Sequence, residues 1–311
     1  MSAKRIDVVA IGEPMVEFNQ TRGDNPHHYL FGYGGDTSNM VIAAARLGAR
    51  AAYVTRVGGD PFGQRLLELW RSEGVETRGI GIDAEAPTGV YFVSHGPSGH
   101  EFSYLRAGSA ASRMRPEDLP FDLIRDSRVL HASGISQAIS ASACDAVSAA
   151  IAAARGAGAK ISYDTNLRLK LWPLARARAV IKASLELCDW ALPSLDDAKL
   201  LFERDDEDAV IDACHRAGAP LVVLRCGAGG CVVSDGRRRE RIAAHRVEVV
   251  DATGAGDCFD GAFAVRILAG DDPFAAARYA NAAAALATTG YGAVAPLPRP
   301  PAVEALLAEP G

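Results

Sequence analysis

The residues of this chain best suited to chemistry form a run of small residues between two aspartates, Asp251-Ala-Thr-Gly-Ala-Gly-Asp257. The apolar run 247–250 before it predicts a strand, and the apolar run 258–268 after it predicts a helix. Gly254, Ala255 and Gly256 would leave backbone N–H groups uncovered at the start of this helix, an arrangement that binds anions. A carboxylate at Asp257, beside an anion site, suggests a base that acts on a hydroxyl. The same residues also fit a tight turn capped by Asp257.

Four other clusters of polar residues and glycines stand next to predicted helices and strands. Asp36 follows the pair Gly34-Gly35, which would let a ligand approach the backbone, and it also suits the N-cap of a helix predicted over 40–47. Arg168 follows a strand predicted over 160–164, and arginine binds carboxylates through two parallel hydrogen bonds. Ligands of open α/β sheets bind beyond the carboxyl ends of the strands, so these clusters are candidates for one site. The other two clusters are Ser194-Leu-Asp-Asp197 and Arg225-Cys-Gly227-Ala-Gly-Gly230.

The elements that must position these clusters predict a doubly wound, mostly parallel α/β sheet. The uninterrupted apolar strand from Ile6 to Ile11 is typical of a parallel sheet covered on both faces. From Val129 onward, predicted strands and helices alternate as in βαβ units. The polar segment 14–33 and a hairpin predicted over 88–106 do not fit this alternation. We therefore predict a main domain of residues 1–13, 34–87 and 107–311, and a small β-sheet of residues 14–33 and 88–106 with a turn at Gly96-Pro-Ser-Gly99.

The composition of the 311-residue chain argues against several classes of protein. A formal net charge of −5 does not favour binding to nucleic acid or to an acidic membrane surface. The six cysteines show no Cys-x-x-Cys spacing and are predicted to be free thiols of a reducing compartment. The polar N-terminus leads into only six apolar residues, too few for a signal peptide or a membrane span, so we expect a cytoplasmic protein.

The run from Asp251 to Asp257 resembles the C-terminal signature of the PfkB, or ribokinase-like, family of carbohydrate kinases. The resemblance extends from Gly12 to Gly292 and implies a ribokinase-like fold that uses ATP and Mg²⁺. It implies that Asp257 deprotonates the acceptor hydroxyl, while the amides of Gly254, Ala255 and Gly256 hold the transferring phosphoryl group. In the family the small sheet is a lid over the sugar and often a dimer interface, so we expect a moving lid and a homo-oligomer.

The resemblance also implies roles for residues outside the signature. Asp197 stands where the family often has a glutamate that supports magnesium through water, and Asp251 and Thr253 lie where a K⁺ ion is expected. The residues expected to contact the sugar are Gly34, Gly35, Asp36, Tyr91, Tyr104, Arg106 and Arg168. The residues expected to contact ATP are Asn166, Ser194, Arg225, Gly227, Gly230, Gly254, Gly256 and Asn281.

Within the family, the segments 12–17, 34–36 and 104–112 together with Arg168 resemble 2-keto-3-deoxygluconate kinases. An arginine aimed at the acceptor suits an acidic substrate, so the sequence predicts phosphorylation of a primary hydroxyl of 2-keto-3-deoxy-D-gluconate. A fructokinase or another kinase for a neutral sugar is the alternative. A non-catalytic sugar- or nucleotide-binding regulator is a further alternative, which the intact Asp257 disfavours. A Rossmann dehydrogenase is disfavoured because the first strand lacks Gly-x-Gly-x-x-Gly.

Overall fold

The computed structural model describes residues 4–21, 25, 27–96 and 99–309, and of residues 95, 96, 99 and 100 it describes the backbone alone. Residues 97 and 98 of the predicted hairpin turn therefore lie outside the described residues. The same holds for parts of the predicted domain ranges, namely residues 1–3, 22–24, 26, 310 and 311.

Thirteen strands are formed by the described part of the chain. They are β1 (Ile6–Ile11), β2 (Met15–Gln20), β3 (Tyr29–Gly34), β4 (Ala51–Gly58), β5 (Ile80–Asp83), β6 (Gly89–Gly96), β7 (Gly99–Leu105), β8 (Ser127–Ser133), β9 (Lys160–Asp164), β10 (Trp190–Ala191), β11 (Leu221–Arg225), β12 (Cys231–Ser234) and β13 (Arg239–Ile242). Nine of them form the main sheet, in the order β13-β12-β11-β10-β9-β8-β1-β4-β5. Pairing is parallel from β11 to β5 and antiparallel at β12 and β13.

Helices cover both faces of the main sheet. They are α1 (Asp36–Arg46), α2 (Pro61–Ser72), α3 (Phe121–Arg125), α4 (Gly134–Ala138), α5 (Ala141–Gly156), α6 (Leu174–Leu187), α7 (Leu195–Phe202), α8 (Glu207–Arg216), α9 (Ala255–Ala269), α10 (Pro273–Ala287) and α11 (Pro300–Ala308). Along β1, Val8 and Ala10 belong to the buried cluster that contains α1, α9 and α10. Val9 and Ile11 belong to the cluster on the opposite face, with α5 and α6. Because both faces of β1 are buried, its sequence is apolar except for Asp7, which is partly exposed and pairs with Arg50, and the predicted doubly wound fold is confirmed.

A separate four-stranded sheet lies outside the main one, in the order β3-β2-β6-β7. The strands β2 and β6 are parallel, while β3 and β7 pair with them in antiparallel fashion. Phe18 of β2 stacks on Phe92 of β6, with ring centroids 5.3 Å apart. The prediction of a small second sheet from two distant segments is confirmed, and its register places Tyr91 opposite Tyr104.

Two predictions from the sequence are wrong, one just before the signature and one at the start of α1. Residues 247–250 are not a strand: the Val250 N–H donates to the Thr288 carbonyl at 2.8 Å, at the C-cap of α10, instead of to a neighbouring strand. Helix α1 begins at Asp36 rather than at 40, and its N-cap is Gly35, whose φ of 101° is favourable only for glycine. The strand β5 and the helices α3, α4 and α11 were not predicted.

Candidate active site

The N-terminus of α9 carries the glycine-rich run. Gly254 is its N-cap in the left-handed conformation, with φ 79°, and no side chain caps the helix. A Cβ on Gly254 would lie 3.0 Å from the Ala293 carbonyl oxygen, and one on Gly256 would lie 2.8 Å from Nη1 of Arg225. Since the first N–H groups of a helix have no intrahelical acceptor, this uncapped terminus is suited to an anion.

Asp257 lies in the first turn of α9 and is partly accessible to solvent. Asn39 of α1 donates to its Oδ2 at 2.8 Å. Burial and the nearby Asp36 raise the pKa of Asp257 to about 7, and the Asn39 hydrogen bond and the charge of Arg225 oppose this rise. A carboxylate with this pKa is divided between its two forms at neutral pH, as suits a general base.

Asp36 stands at the first position of α1, beside the glycine pair. Its Oδ2 accepts from Ser133 Oγ at 2.5 Å and from Asn166 Nδ2 at 3.0 Å, so the predicted sugar-binding Asp36 and the predicted ATP-binding Asn166 contact each other. A Cβ on Gly34 would lie 2.2 Å from the Tyr91 hydroxyl, and one on Gly35 would lie 2.3 Å from the Glu13 carbonyl oxygen. Both glycines are therefore required for close packing at this end of α1.

The second sheet contributes aromatic and cationic side chains. Tyr91 and Tyr104 are cross-strand partners with ring centroids 6.0 Å apart, and the Tyr91 hydroxyl donates to the buried carboxylate of Glu17. The Arg106 guanidinium lies 5.5 Å from the centre of the Tyr104 ring and forms an ion pair with Glu13. Glu13 is fully buried and also accepts a hydrogen bond from Ser109. The structure therefore brings Tyr91, Tyr104 and Arg106 together, with the charge of Arg106 already opposed by Glu13.

Arg168 makes a different set of contacts. Its side chain is exposed and donates to its neighbour's carbonyl, Leu167 O, at 2.8 Å. Among the described residues, the acidic group that senses its charge is Asp197, whose pKa burial raises and Arg168 partly lowers. The joint binding of one ligand by Arg106 and Arg168 therefore stays a prediction.

The residues predicted to bind the nucleotide differ in their contacts. Arg225, at the end of β11, forms ion pairs with Asp164 at 2.5 Å and with Asp260 at 3.0 Å. Asn281 of α10 is buried and donates to the Ile242 carbonyl at 3.3 Å, so its amide anchors α10 to β13. Of the rest, Gly227 is exposed, Gly230 is buried with φ 78°, and Ser194 Oγ caps α7 by accepting from Asp197 N–H at 3.2 Å.

Comparison with known proteins agrees with this geometry. Residues 5–300 match the pfkB family of carbohydrate kinases. This chain belongs to that family. Among curated proteins, the kinase is 35% identical to the 2-dehydro-3-deoxygluconokinase of Thermoproteus tenax, over 97% of this chain and 94% of the relative. It is 33% identical to the probable fructokinase-4 of Arabidopsis thaliana, over 96% of each. Among solved structures, a putative ribokinase II of E. coli in complex with ATP and Mg²⁺ superimposes with a TM-score of 0.90 at 27% identity, covering 97% of this chain and 99% of that one.

The protein is thus an ATP-dependent sugar kinase that works with a metal ion. No three His, Cys, Asp or Glu side chains of the described residues are grouped to hold a metal by themselves. Mg²⁺ usually keeps several waters and takes phosphate oxygens, so a carboxylate that acts through water, as predicted for Asp197, fits the kinase. Within the described ranges, no helix is long and apolar enough to cross a bilayer.

Sequence reasoning gave no role to three acidic residues of the kinase. Glu13 follows the buried strand β1 directly, Asp260 stands three residues after Asp257 on the same face of α9, and Glu17 lies in the largely buried β2. Each is 1% exposed. An acidic residue inside an apolar run was the available signal, because a buried carboxylate requires a partner.

Proposed function

We propose that this kinase phosphorylates a primary hydroxyl of 2-keto-3-deoxy-D-gluconate, giving the 6-phosphate. The observation that carries the proposal is Arg106, a largely buried cation whose charge is felt by Asp36 at the end of α1. Its Nε is buried and has no hydrogen-bond partner among the described residues, so it retains a donor for a ligand. The similarity to the relative from Thermoproteus tenax supports the same substrate class.

In this proposal Asp257 accepts the proton of the attacking hydroxyl. The N–H groups of Gly254 to Asp257 hold the negative charge that develops on the phosphoryl group. Arg106 binds the sugar carboxylate and Arg168 joins it there when the sugar is bound. Magnesium supplies charge neutralisation on the ATP phosphates. The other residues proposed to contact ATP are Asn166, Ser194, Arg225, Gly227, Gly230 and Asn281, and those proposed to contact the sugar are Gly34, Gly35, Asp36, Tyr91 and Tyr104.

A neutral sugar such as fructose is the second candidate, and one observation favours it. Glu13 already opposes the charge of Arg106, and Arg168 is exposed. A site with a matched ion pair has less to gain from a second carboxylate. The similarity to a plant fructokinase, almost as strong as that to the gluconate kinase, is consistent with this candidate.

The deciding experiment is a coupled ADP-release assay with 2-keto-3-deoxygluconate and with fructose. The Asp257→Asn variant should lose at least ~10²-fold in kcat, the low end for loss of a general base, while retaining ATP binding. Arg168→Ala should lower kcat/KM for the acidic sugar by about ten- to a hundred-fold, the equivalent of one charge-assisted hydrogen bond, with little change for fructose. Arg125→Ala, an exposed arginine of α3, is the matched control.

Three outcomes would contradict parts of this proposal. Equal loss on both sugars in Arg168→Ala would remove the carboxylate role of that residue. Turnover of fructose alone would establish the second candidate. Absence of turnover with every sugar, in protein that binds ATP, would favour a non-catalytic binding role.

We further propose a K⁺ ion near Asp251 and Thr253 and a homo-oligomer formed through the second sheet. The Asp251 carboxylate accepts from Thr253 Oγ1 at 2.7 Å and from Gly292 N–H at 3.0 Å, so it fixes the loop whose carbonyls would surround such an ion. Leu105, at the end of β7, is 68% exposed, as an interface residue would be. Turnover measured with K⁺ and with tetramethylammonium tests the ion site. Light scattering of the wild type and of Leu105→Asp tests the oligomer.

A further inference from the structure

The polar side chains at the carboxyl edge of the main sheet form one closed set of contacts, which we call the Asp–Arg network. Starting at the base, Asp257 accepts from Asn39 of α1, and Asp36 of the same helix accepts from Asn166. Asn166 N–H donates to Asp164 Oδ1 at 3.1 Å. Arg225 closes the set by pairing with Asp164 and with Asp260, one turn along α9 from the base. Its members are Asp36, Asn39, Asp164, Asn166, Arg225, Asp257 and Asp260.

Arg225 is the one cation of this network, against four carboxylates. Its guanidinium lies against the backbone of Gly256, because a Cβ there would lie 2.8 Å from Nη1. Its pKa is raised by Asp164 and Asp260, which outweigh the effect of burial, so it stays charged. The charged and titratable groups that act on Asp257 or respond to it are Asp36 of α1, Tyr91 of β6, Asp164 of β9, Arg225 of β11, and Cys258 and Asp260 of α9.

We propose that Arg225 is a positioning residue for phosphoryl transfer: it fastens α9 to the ends of β9 and β11, and its charge keeps Asp257 able to accept a proton at neutral pH. The inference rests on Asp257 being the base, and it is additional to the contact with ATP proposed for Arg225 above. An ATP ligand would act mainly on the KM for ATP, whereas a residue that supports the base acts on the pH dependence of turnover.

The positive charge of Arg225 acts on the carboxylate of Asp257. Asp257 is raised in pKa by burial and by other carboxylates, and Arg225 is the positive group that opposes them. Removing that charge takes away the ion-pair partner of Asp164 and Asp260, so the negative charge beside Asp257 is opposed less and the proton is held more firmly by Asp257. An opposite charge within a few ångströms shifts a carboxyl pKa by about one unit or more.

The test compares the pH profiles of kcat from pH 6 to 9 in Arg225→Gln and Arg225→Lys. In Arg225→Gln the acidic limb should move up by about one pH unit, so that kcat is about five-fold lower at pH 7 and recovers towards pH 9. Arg225→Lys keeps the positive charge but loses the planar guanidinium that pairs with two carboxylates at once. Its acidic limb should therefore stay at the wild-type position although kcat falls. Asp164→Asn removes a negative charge and should move the limb down.

Arg56→Gln is the matched control, because Arg56 also bridges two aspartates at the end of a strand, Asp83 at 3.2 Å and Asp118 at 3.1 Å. Its limb should not move. A folded Arg225→Gln variant that loses the same fraction of kcat at every pH would overturn the inference. Should circular dichroism show that Arg225→Gln does not fold, an unmoved limb in Asp164→Asn would overturn it instead. Full activity in Asp257→Asn would overturn the assignment of Asp257 as the base. An inactive Asp257→Asn, together with an unmoved acidic limb in Arg225→Gln and Asp164→Asn, would contradict only the role of Arg225.

Discussion

At the scale of single residues, the proposed function depends on carboxylates whose negative charge is only partly balanced by hydrogen bonds and cations. Asp257 has one hydrogen bond from Asn39 and shares Arg225 with two other acids, so its pKa lies near 7. Asp251, by contrast, accepts from Thr253, Asn19 and Gly292, and its pKa is lowered by these hydrogen bonds despite burial. Two aspartates six residues apart therefore differ in pKa, as expected if one accepts a proton and the other holds the loop.

The pH dependence of turnover follows from the state of Asp257. A base must be deprotonated to act, and its pKa is about 7, so kcat should rise as the pH increases through neutrality and level off above it. Asn39→Ala removes a hydrogen bond that lowers this pKa, and its limb should lie at higher pH than that of the wild type. Steady-state rates between pH 5.5 and 9 measure the pH profiles of the wild type and of Asn39→Ala. A profile that is flat from pH 6 to 8 in the wild type would contradict the role of Asp257.

Glu13 sets the charge at the sugar-binding residues. In Glu13→Gln the guanidinium of Arg106 loses its counter-ion while Ser109 keeps an acceptor of the same shape. The ratio of kcat/KM for the acidic sugar to that for fructose should rise by about ten-fold, the low end for one charge-assisted hydrogen bond. Glu73→Gln, which removes a carboxylate paired with Arg46 elsewhere, is the control and should leave the ratio unchanged. A ratio that falls in Glu13→Gln would count against a carboxylate bound by Arg106.

At the scale of elements, the second sheet is joined to the main domain through apolar packing and a few polar contacts. Asn19 of β2 donates to Asp251 at 2.8 Å, in the loop that leads into α9. Arg106, just after β7, pairs with Glu13, just after β1. These contacts link the second sheet both to the signature and to the central strand, so a change in the position of the sheet would be felt at the base.

The second sheet is expected to become more ordered when the sugar binds. Among the described strands, β3 and β7 at the edges of this sheet each pair with one neighbour, and a ligand held between Tyr104 and the N-terminus of α1 would add contacts to both sides. Hydrogen exchange of residues 15–20, 29–34 and 89–96 should slow with saturating sugar, while that of β8 and β9 should not change. Equal exchange in these segments with and without sugar would contradict a moving lid.

At the scale of the whole molecule, buried carboxylates make the stability depend on pH. Burial raises the pKa of Glu17 to about 7, against an unfolded value of 4.5. The folded protein therefore holds this proton when the unfolded chain has lost it. The contribution to the free energy of unfolding is fully present below pH ~4.5 and is lost as the pH rises to about 7. Glu73 behaves oppositely, because Arg46 lowers its pKa.

Glu17→Gln should therefore stabilise the protein at pH 8 relative to the wild type, by up to about 3 kcal/mol, the equivalent of the shift in pKa. The amide keeps an acceptor for the Tyr91 hydroxyl, and the difference should vanish near pH 4.5. Glu73→Gln should destabilise the protein, more at pH 8 than at pH 4. Urea denaturation at both pH values measures the two free energies. A Glu17→Gln effect that is the same at both would show that the pKa of Glu17 does not differ between the folded and the unfolded chain.

From the sequence alone most of the elements were predictable, and Asp257 was proposed as the base. Apolar periodicity and glycine placement act locally, so β1, the alternating strands and helices from Val129 onward, the small second sheet and the helix after Gly254 were predictable. The tertiary structure decided which charges meet. Arg106 and Glu13 are 93 residues apart, and Arg225 is 61 residues from Asp164. Such pairs depend on the order of strands in the sheet, which local periodicity does not encode. The run 247–250 has the composition of a strand yet forms none, because the Val250 N–H donates to Thr288, at the C-cap of α10, rather than to a neighbouring strand.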